Sequence, residues 1–234
     1  FSAEQAPYLY DLEFHDGLFI ASGQDGIIPK SSDGKTWTSH LIDEREEPDW
    51  LTVVHYSERP QRWFLGGDFG RVWSSPGGLT WTHFDPGIRG IESLAEGDSQ
   101  IIAAGENWDL YTTSDGNNWQ TLSHPSTGTS EGLLESIHYD NGVWVAVGTA
   151  GPVIYSKDGV TWKKAATGGE ETLKTVHFSN GRWVAAGDGV SIYWSDNLTD
   201  WTHGILPIDQ ANGFAIDNVH MNQVIVTETT NLVF

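Results

Sequence analysis

The chain has 234 residues, 38% of them apolar and 19% charged, with 27 glycines and 12 tryptophans, a composition that excludes disorder and suits one large domain or two small ones. Its 32 acidic and 12 basic residues give a formal charge of −20, so the surface repels phosphate backbones and anionic bilayers, which argues against nucleic acid as a partner. No run approaches the roughly 18 apolar residues of a membrane span, and the absence of cysteine removes disulfides, thiol catalysis and cysteine-based zinc sites together.

Glycine and an aromatic fraction of 12% favour short strands joined by tight turns over long helices. The first residue is Phe1, which reads as a processed or excised chain. From there the sequence repeats. The first unit, about 9–50, holds a β-rich run ending at glycine, HDGLFIASG (15–23), and then a turn phrase closed by tryptophan, SSDGKTW (31–37). The same pair returns as PQRWFLGG (60–67) and SPGGLTW (75–81) in unit 51–89, and as GDSQIIAAG (97–105) and TSDGNNW (113–119) in unit 90–132. It returns again as DNGVWVAVG (140–148) and SKDGVTW (156–162) in unit 133–172, and as SNGRWVAAG (179–187) and SDNLTDW (195–201) in unit 173–213.

Within unit 173–213 the pattern predicts strands at Thr175–Phe178, Trp183–Ala186 and Ser191–Trp194 and an outer strand from Trp201, with turns between them. Runs such as Val143–Val147 are apolar at every position, as a sheet covered on both faces requires. Four-stranded antiparallel units of roughly 40 residues are the blades of an all-β propeller. After the fifth unit, Asn218–Phe234 repeats three strand phrases: NVHMN matches TVHFSN, QVIVTE matches RWVAAG, and NLVF matches SIYW. The expectation is a single domain, 1–234, of six blades, with the last unit (214–234) completed by residues 1–8 so that the two chain ends close the ring.

These turn phrases resemble the Asp-box, or bacterial neuraminidase repeat, propellers, whose motif reads Ser-x-Asp-x-Gly-x-Thr-Trp. The copies here have glycine directly after aspartate, and two are further altered, with Gly77 and Asn197 at the aspartate position. The box residues Ser31, Asp33, Trp37, Trp81, Asp115, Trp119, Ser156, Asp158, Trp162, Ser195 and Trp201 are expected to be structural: aspartate accepts from turn amides, glycine takes positive φ and tryptophan packs between blades. The resemblance implies that the boxes lie opposite the ligand face. It also implies that a sialidase would need an arginine triad, a tyrosine–glutamate pair, an aspartate acid/base and an Arg-Ile-Pro phrase. Arg59, Arg62 and Arg182 fall by the turn between first and second strands, and Ile27-Ile28-Pro29-Lys30 lacks the arginine, so no catalytic residue is assigned.

The ligand face is expected in the loops between second and third strands and between blades, with Asp25, Trp50, Asp68, Phe69, Arg71, Trp108, Asp109 and Asp188 as candidate ligand-binding residues. Carboxylates beside aromatic rings suit a sugar, a cation or a basic peptide. His55, His138, His177 and His220 repeat at one first-strand position and are read as packed, not metal-binding; no metal or cofactor is expected. Asn197-Leu198-Thr199 has the form of a glycosylation sequon but overlaps a box. The leading function is non-enzymatic recognition of a glycan or protein by a monomeric secreted, periplasmic or cell-surface domain. The rival is a glycoside hydrolase or polysaccharide lyase on the same face. The repeats also resemble the photosystem II assembly-factor propellers, whose implied basic arginine patch is missing here, so that likeness supports a scaffold reading only.

Overall fold

The computed structural model describes residues 7–42, 49–85, 87–125, 132–151, 153–205, 225–226 and 232–233. Five four-stranded antiparallel sheets follow one another along the chain. The first is β1 (Leu9–His15), β2 (Leu18–Gly23), β3 (Ile27–Ser31) and β4 (Thr38–Leu41), and the second is β5 (Leu51–Ser57), β6 (Arg62–Gly67), β7 (Val72–Ser75) and β8 (Thr82–Phe84). The third is β9 (Ile91–Glu96), β10 (Ile101–Gly105), β11 (Leu110–Thr113) and β12 (Gln120–Leu122), and the fourth is β13 (Leu134–Asp140), β14 (Val143–Gly148), β15 (Val153–Ser156) and β16 (Trp162–Ala165). The fifth is β17 (Leu173–Ser179), β18 (Arg182–Gly187), β19 (Ser191–Ser195) and β20 (Thr202–Ile205). Each is a meander in which every strand pairs with the next. The first strands β1, β5, β9, β13 and β17 stand side by side in chain order and line a central channel.

Between successive blades lies a separate apolar layer. Ile20 and Ile28 of the first blade meet Leu51, Trp63 and Leu65 of the second, and the same junction recurs between each later pair. Second strands are therefore buried on both faces, which accounts for their unbroken apolar runs. The box tryptophans belong to these layers: Trp162 packs with Ile102 and Ala104 of the preceding blade, and Trp201 with Val145 and Val147.

Against the expectation of six blades closed by the two chain ends, the described residues form five four-stranded blades, and these do not close into a ring. Most of the sixth unit, 214–234 and 1–8, lies outside the described residues; within it, β21 (Ile225–Val226) and β22 (Leu232–Val233) pair antiparallel, with β21 beside β17. The consequence is asymmetric. The outer face of the fifth blade is covered at Val184, Ala186 and Ile192, whereas the outer face of the first exposes Leu12, 55% accessible, together with Phe14 and Trp37.

Candidate functional site

One residue per blade is turned into the channel by a break in register. In each first hairpin the glycine ending the second strand pairs with the first residue of the first strand, as Leu51 with Gly67, Leu134 with Gly148 and Leu173 with Gly187, and the next residue of the first strand is skipped. Glycine is required for close approach: a Cβ on Gly148 would stand 1.9 Å from the Leu133 carbonyl oxygen, and one on Gly67 2.2 Å from that of Trp50. The skipped residues are Tyr10, Thr52, Glu92, Glu135 and Lys174, and all five line the channel. A β-bulge re-aims the side chain it carries, and here it does so in every blade.

The ring so formed is charged. Lys174 Nζ lies 2.6 Å from Glu135 Oε1, and Thr52 Oγ1 donates to the Ile91 carbonyl. Burial raises the Glu92 carboxyl to about 7, helped by the nearby charges of Glu135, Glu106 and Asp68. Tyr10 is raised by burial and then by the charges of Asp68 and Asp25. A cavity of about 1040 Å³ runs from this ring across the open face of the first blade, past Leu12, Pro29 and Trp37.

The loop-face candidates divide. Asp68 Oδ1 accepts from the Trp50 amide at 2.9 Å, and its carboxyl is raised by burial and by Asp49. Trp50 (44% accessible) and Phe69 (51%) are exposed next to it. Arg71 stands 5.7 Å over the Phe69 ring and bonds Asp49, which also accepts from the Trp73 indole at 3.1 Å. Asp25 sits at φ 56° in the tight turn before β3. Asp109 is occupied elsewhere, accepting from the Tyr111 hydroxyl at 2.9 Å with Arg89 at 3.8 Å. Asp188, in the fifth blade, donates its amide to Thr172 O at 2.9 Å.

Trp108 does not belong with them. Asn107 and Trp108 are both left-handed, φ 57° and 66°, and this turn folds the indole under Gly132 into the layer with Ile102 and Leu134, leaving it 2% accessible. A ring buried to that degree cannot stack on a ligand.

The boxes lie at the other end of the blades, in the turns between third and fourth strands. Asp33 Oδ1 accepts from the amides of Lys35 (2.8 Å) and Thr36 (2.7 Å), and the Gly34 amide reaches Ser31 Oγ at 2.9 Å. Asp158 with Ser156 repeats this, Asp115 does so with Thr113 in the serine place, and Asn197 with Ser195 does it with an amide oxygen. These amides, and the serine hydroxyl, hold Asp33 down to about 2, and equivalent bonds hold Asp115 and Asp158 low. Trp81 and Trp119 pack against the layers of their blades, while Trp37 is exposed because no blade precedes it among the described residues.

The His138 and His177 rings lie 4.4 Å apart, tilted by 47°, and His138 is lowered to about 4 by burial and then by His177. His55 instead faces Glu13 at 3.5 Å, and His220 lies outside the described residues. Among the described residues no three metal-ligating side chains converge. The structure also holds a tyrosine–glutamate pair that the sequence reading missed, Tyr193 donating to Glu171 Oε2 at 2.8 Å; Tyr193 is 1% accessible and its hydroxyl is pushed up to about 12, the reverse of an activated nucleophile.

No protein-family model matches the chain, and no curated protein matches it in sequence. Solved structures do match in shape. YCF48 bound to D1 peptide superposes with a TM-score of 0.65 at 18% identity over 84% of this chain and 66% of that one. YCF48 from Cyanidioschyzon merolae gives 0.64 at 16% over 85% and 72%, and the RRP9 WD40 repeats give 0.68 at 12% over 83% and 62%. The fold is a β-propeller. At these identities the likeness is one of fold alone. The chain spans about two thirds of the length of these neighbours, 66% of the first and 62% of the third.

Proposed function

We propose that the chain is a non-enzymatic protein-binding propeller that takes a segment of a partner at the mouth of its channel. What supports this reading is the bulge ring of Tyr10, Thr52, Glu92, Glu135 and Lys174 lining the cavity, with Trp50 and Phe69 exposed and Asp68 bonded to the Trp50 amide. Exposed aromatic rings bounded by polar groups supply the anchors on which protein recognition concentrates. A propeller of the same shape, YCF48, was solved with a peptide bound. The same reading has the domain act as a monomer in a secreted, periplasmic or cell-surface setting. It also has the sixth unit, 214–234 completed by 1–8, cover the open face of the first blade.

Panning a displayed peptide library against the protein, beside a glycan array, tests this. Peptides are retained, and Trp50→Ala or Phe69→Ala weakens the best of them at least about tenfold. Retention of glycans and no peptide makes the domain a lectin instead. Peptide binding indifferent to both variants removes the site from the channel mouth.

One observation favours a second reading, a glycoside hydrolase or polysaccharide lyase. Burial raises the Glu92 carboxyl to about 7 while Glu135 is paired with Lys174, a difference between two carboxyl groups that such chemistry uses. Turnover of a fluorogenic glycoside that vanishes in Glu92→Gln establishes it in place of the first reading.

A further inference from the structure

The bulge ring has an internal cation for one of its two carboxylates and none for the other. Lys174 sits on Glu135. Glu92, from the adjacent blade, has no hydrogen bond or ion pair among the described residues; the charges of Glu135, Glu106 and Asp68 raise its carboxyl and that of Lys174 lowers it. It is half-buried and lines the cavity together with Tyr10, Glu135 and Lys174. Tyr10 brings an aromatic ring to the same space, and the charges of Asp68 and Asp25 act on its hydroxyl.

We propose that this ring is the receptor for a lysine or arginine side chain of the partner: the cationic head enters from the loop face and seats against Glu92, and its aliphatic stem lies along Tyr10. The inference rests on the loop-face reading and gives the partner its chemistry. A cation supplies the charge that three neighbouring acids make unfavourable for Glu92 alone, and a long apolar stem suits a wall that is part aromatic. Because burial and neighbouring acids raise Glu92 to about 7, an arriving cation displaces its proton, so binding strengthens as pH rises from about 6 to about 8. Lys174 is then an internal competitor, since it already neutralises Glu135.

The probe is a fluorescein-labelled oligolysine peptide titrated into the full chain, with oligoglutamate as its counterpart. Glu92→Gln weakens oligolysine about tenfold, whereas Asp200→Asn, which removes the same charge from an exposed box turn, changes it by less than about twofold. Lys174→Met strengthens binding several-fold, and Lys163→Met, on the exposed outer strand β16, does not. Circular dichroism and unfolding temperature verify that each variant is folded. Equal effects of Glu92→Gln and Asp200→Asn, equal effects of the two lysine variants, or no binding of oligolysine overturn the proposal. If peptides from the library still depend on Trp50 and Phe69 while Glu92→Gln leaves them unchanged, the ring inference fails and the loop-face reading stands. Loss at neither place removes both.

Discussion

At the residue scale, the box aspartates show how an exposed carboxylate stabilises a turn without any ligand. Asp33 Oδ1 gathers two amides that would otherwise face only water, and Asn197 does the same with an amide oxygen, accepting from Thr199 at 3.0 Å and Asp200 at 2.9 Å. Acceptance, not charge, is the requirement. Asp33→Ala should therefore lower the unfolding temperature by about 2–4 °C at neutral pH, and Asp33→Asn by roughly half of that or less. The pH dependence separates the two roles further. The folded carboxyl is held at about 2 against an ordinary 3.8, so its contribution is whole above about pH 4 and is lost as pH falls toward about pH 2. Unfolding followed across that window should show a shallower loss in Asp33→Asn than in the parent; an identical slope would mean that the box does not couple to acid unfolding. The same turn uses the Asn197 side chain twice, its Nδ2 donating to Asp200 Oδ2 at 2.8 Å.

At the element scale, the repeating unit is the hairpin with its bulge. The glycine that closes each second strand, the skipped residue opposite it and the polar ring in the channel are one device, because the first permits the close approach that produces the second. Gly148→Ala should cost about 1–3 kcal/mol through a clash with the Leu133 carbonyl and shift Glu135 out of the ring. Gly142→Ala meets no neighbouring atom and should cost about 1 kcal/mol, from its φ of 75° alone. Chemical unfolding compares the two, and a smaller loss for Gly148→Ala would show that the bulge is not held by that contact. The strands, the boxes and the fivefold repeat were legible in the sequence because they rest on alternation and on turn chemistry that a linear pattern records. The ring was not. Tyr10, Thr52, Glu92, Glu135 and Lys174 have no common residue type to mark the position, and only the register places them at one level. Trp108 was misplaced for a related reason: loop membership suggests exposure, and two consecutive left-handed residues reverse it.

At the scale of the whole molecule, an open arc of blades has two unlike ends. The box tryptophans Trp162 and Trp201 are buried by the blade before them, and Trp37, whose blade has none before it among the described residues, is left exposed with Leu12 and Phe14. A surface of that kind on a chain carrying a charge of −20 is at odds with the rest of its exterior. In the proposed ring the sixth unit covers it. Leu12→Ser then costs about 1.5–3 kcal/mol in the full chain, the value of a buried leucine, instead of the few tenths typical of a surface change. Truncation after Ile205 should abolish that cost. Both quantities come from denaturant unfolding of the chain with and without the substitution. A neutral Leu12→Ser in the full chain would mean that nothing in this sequence covers the first blade, and that the channel mouth is open along one side to whatever partner the ring receives.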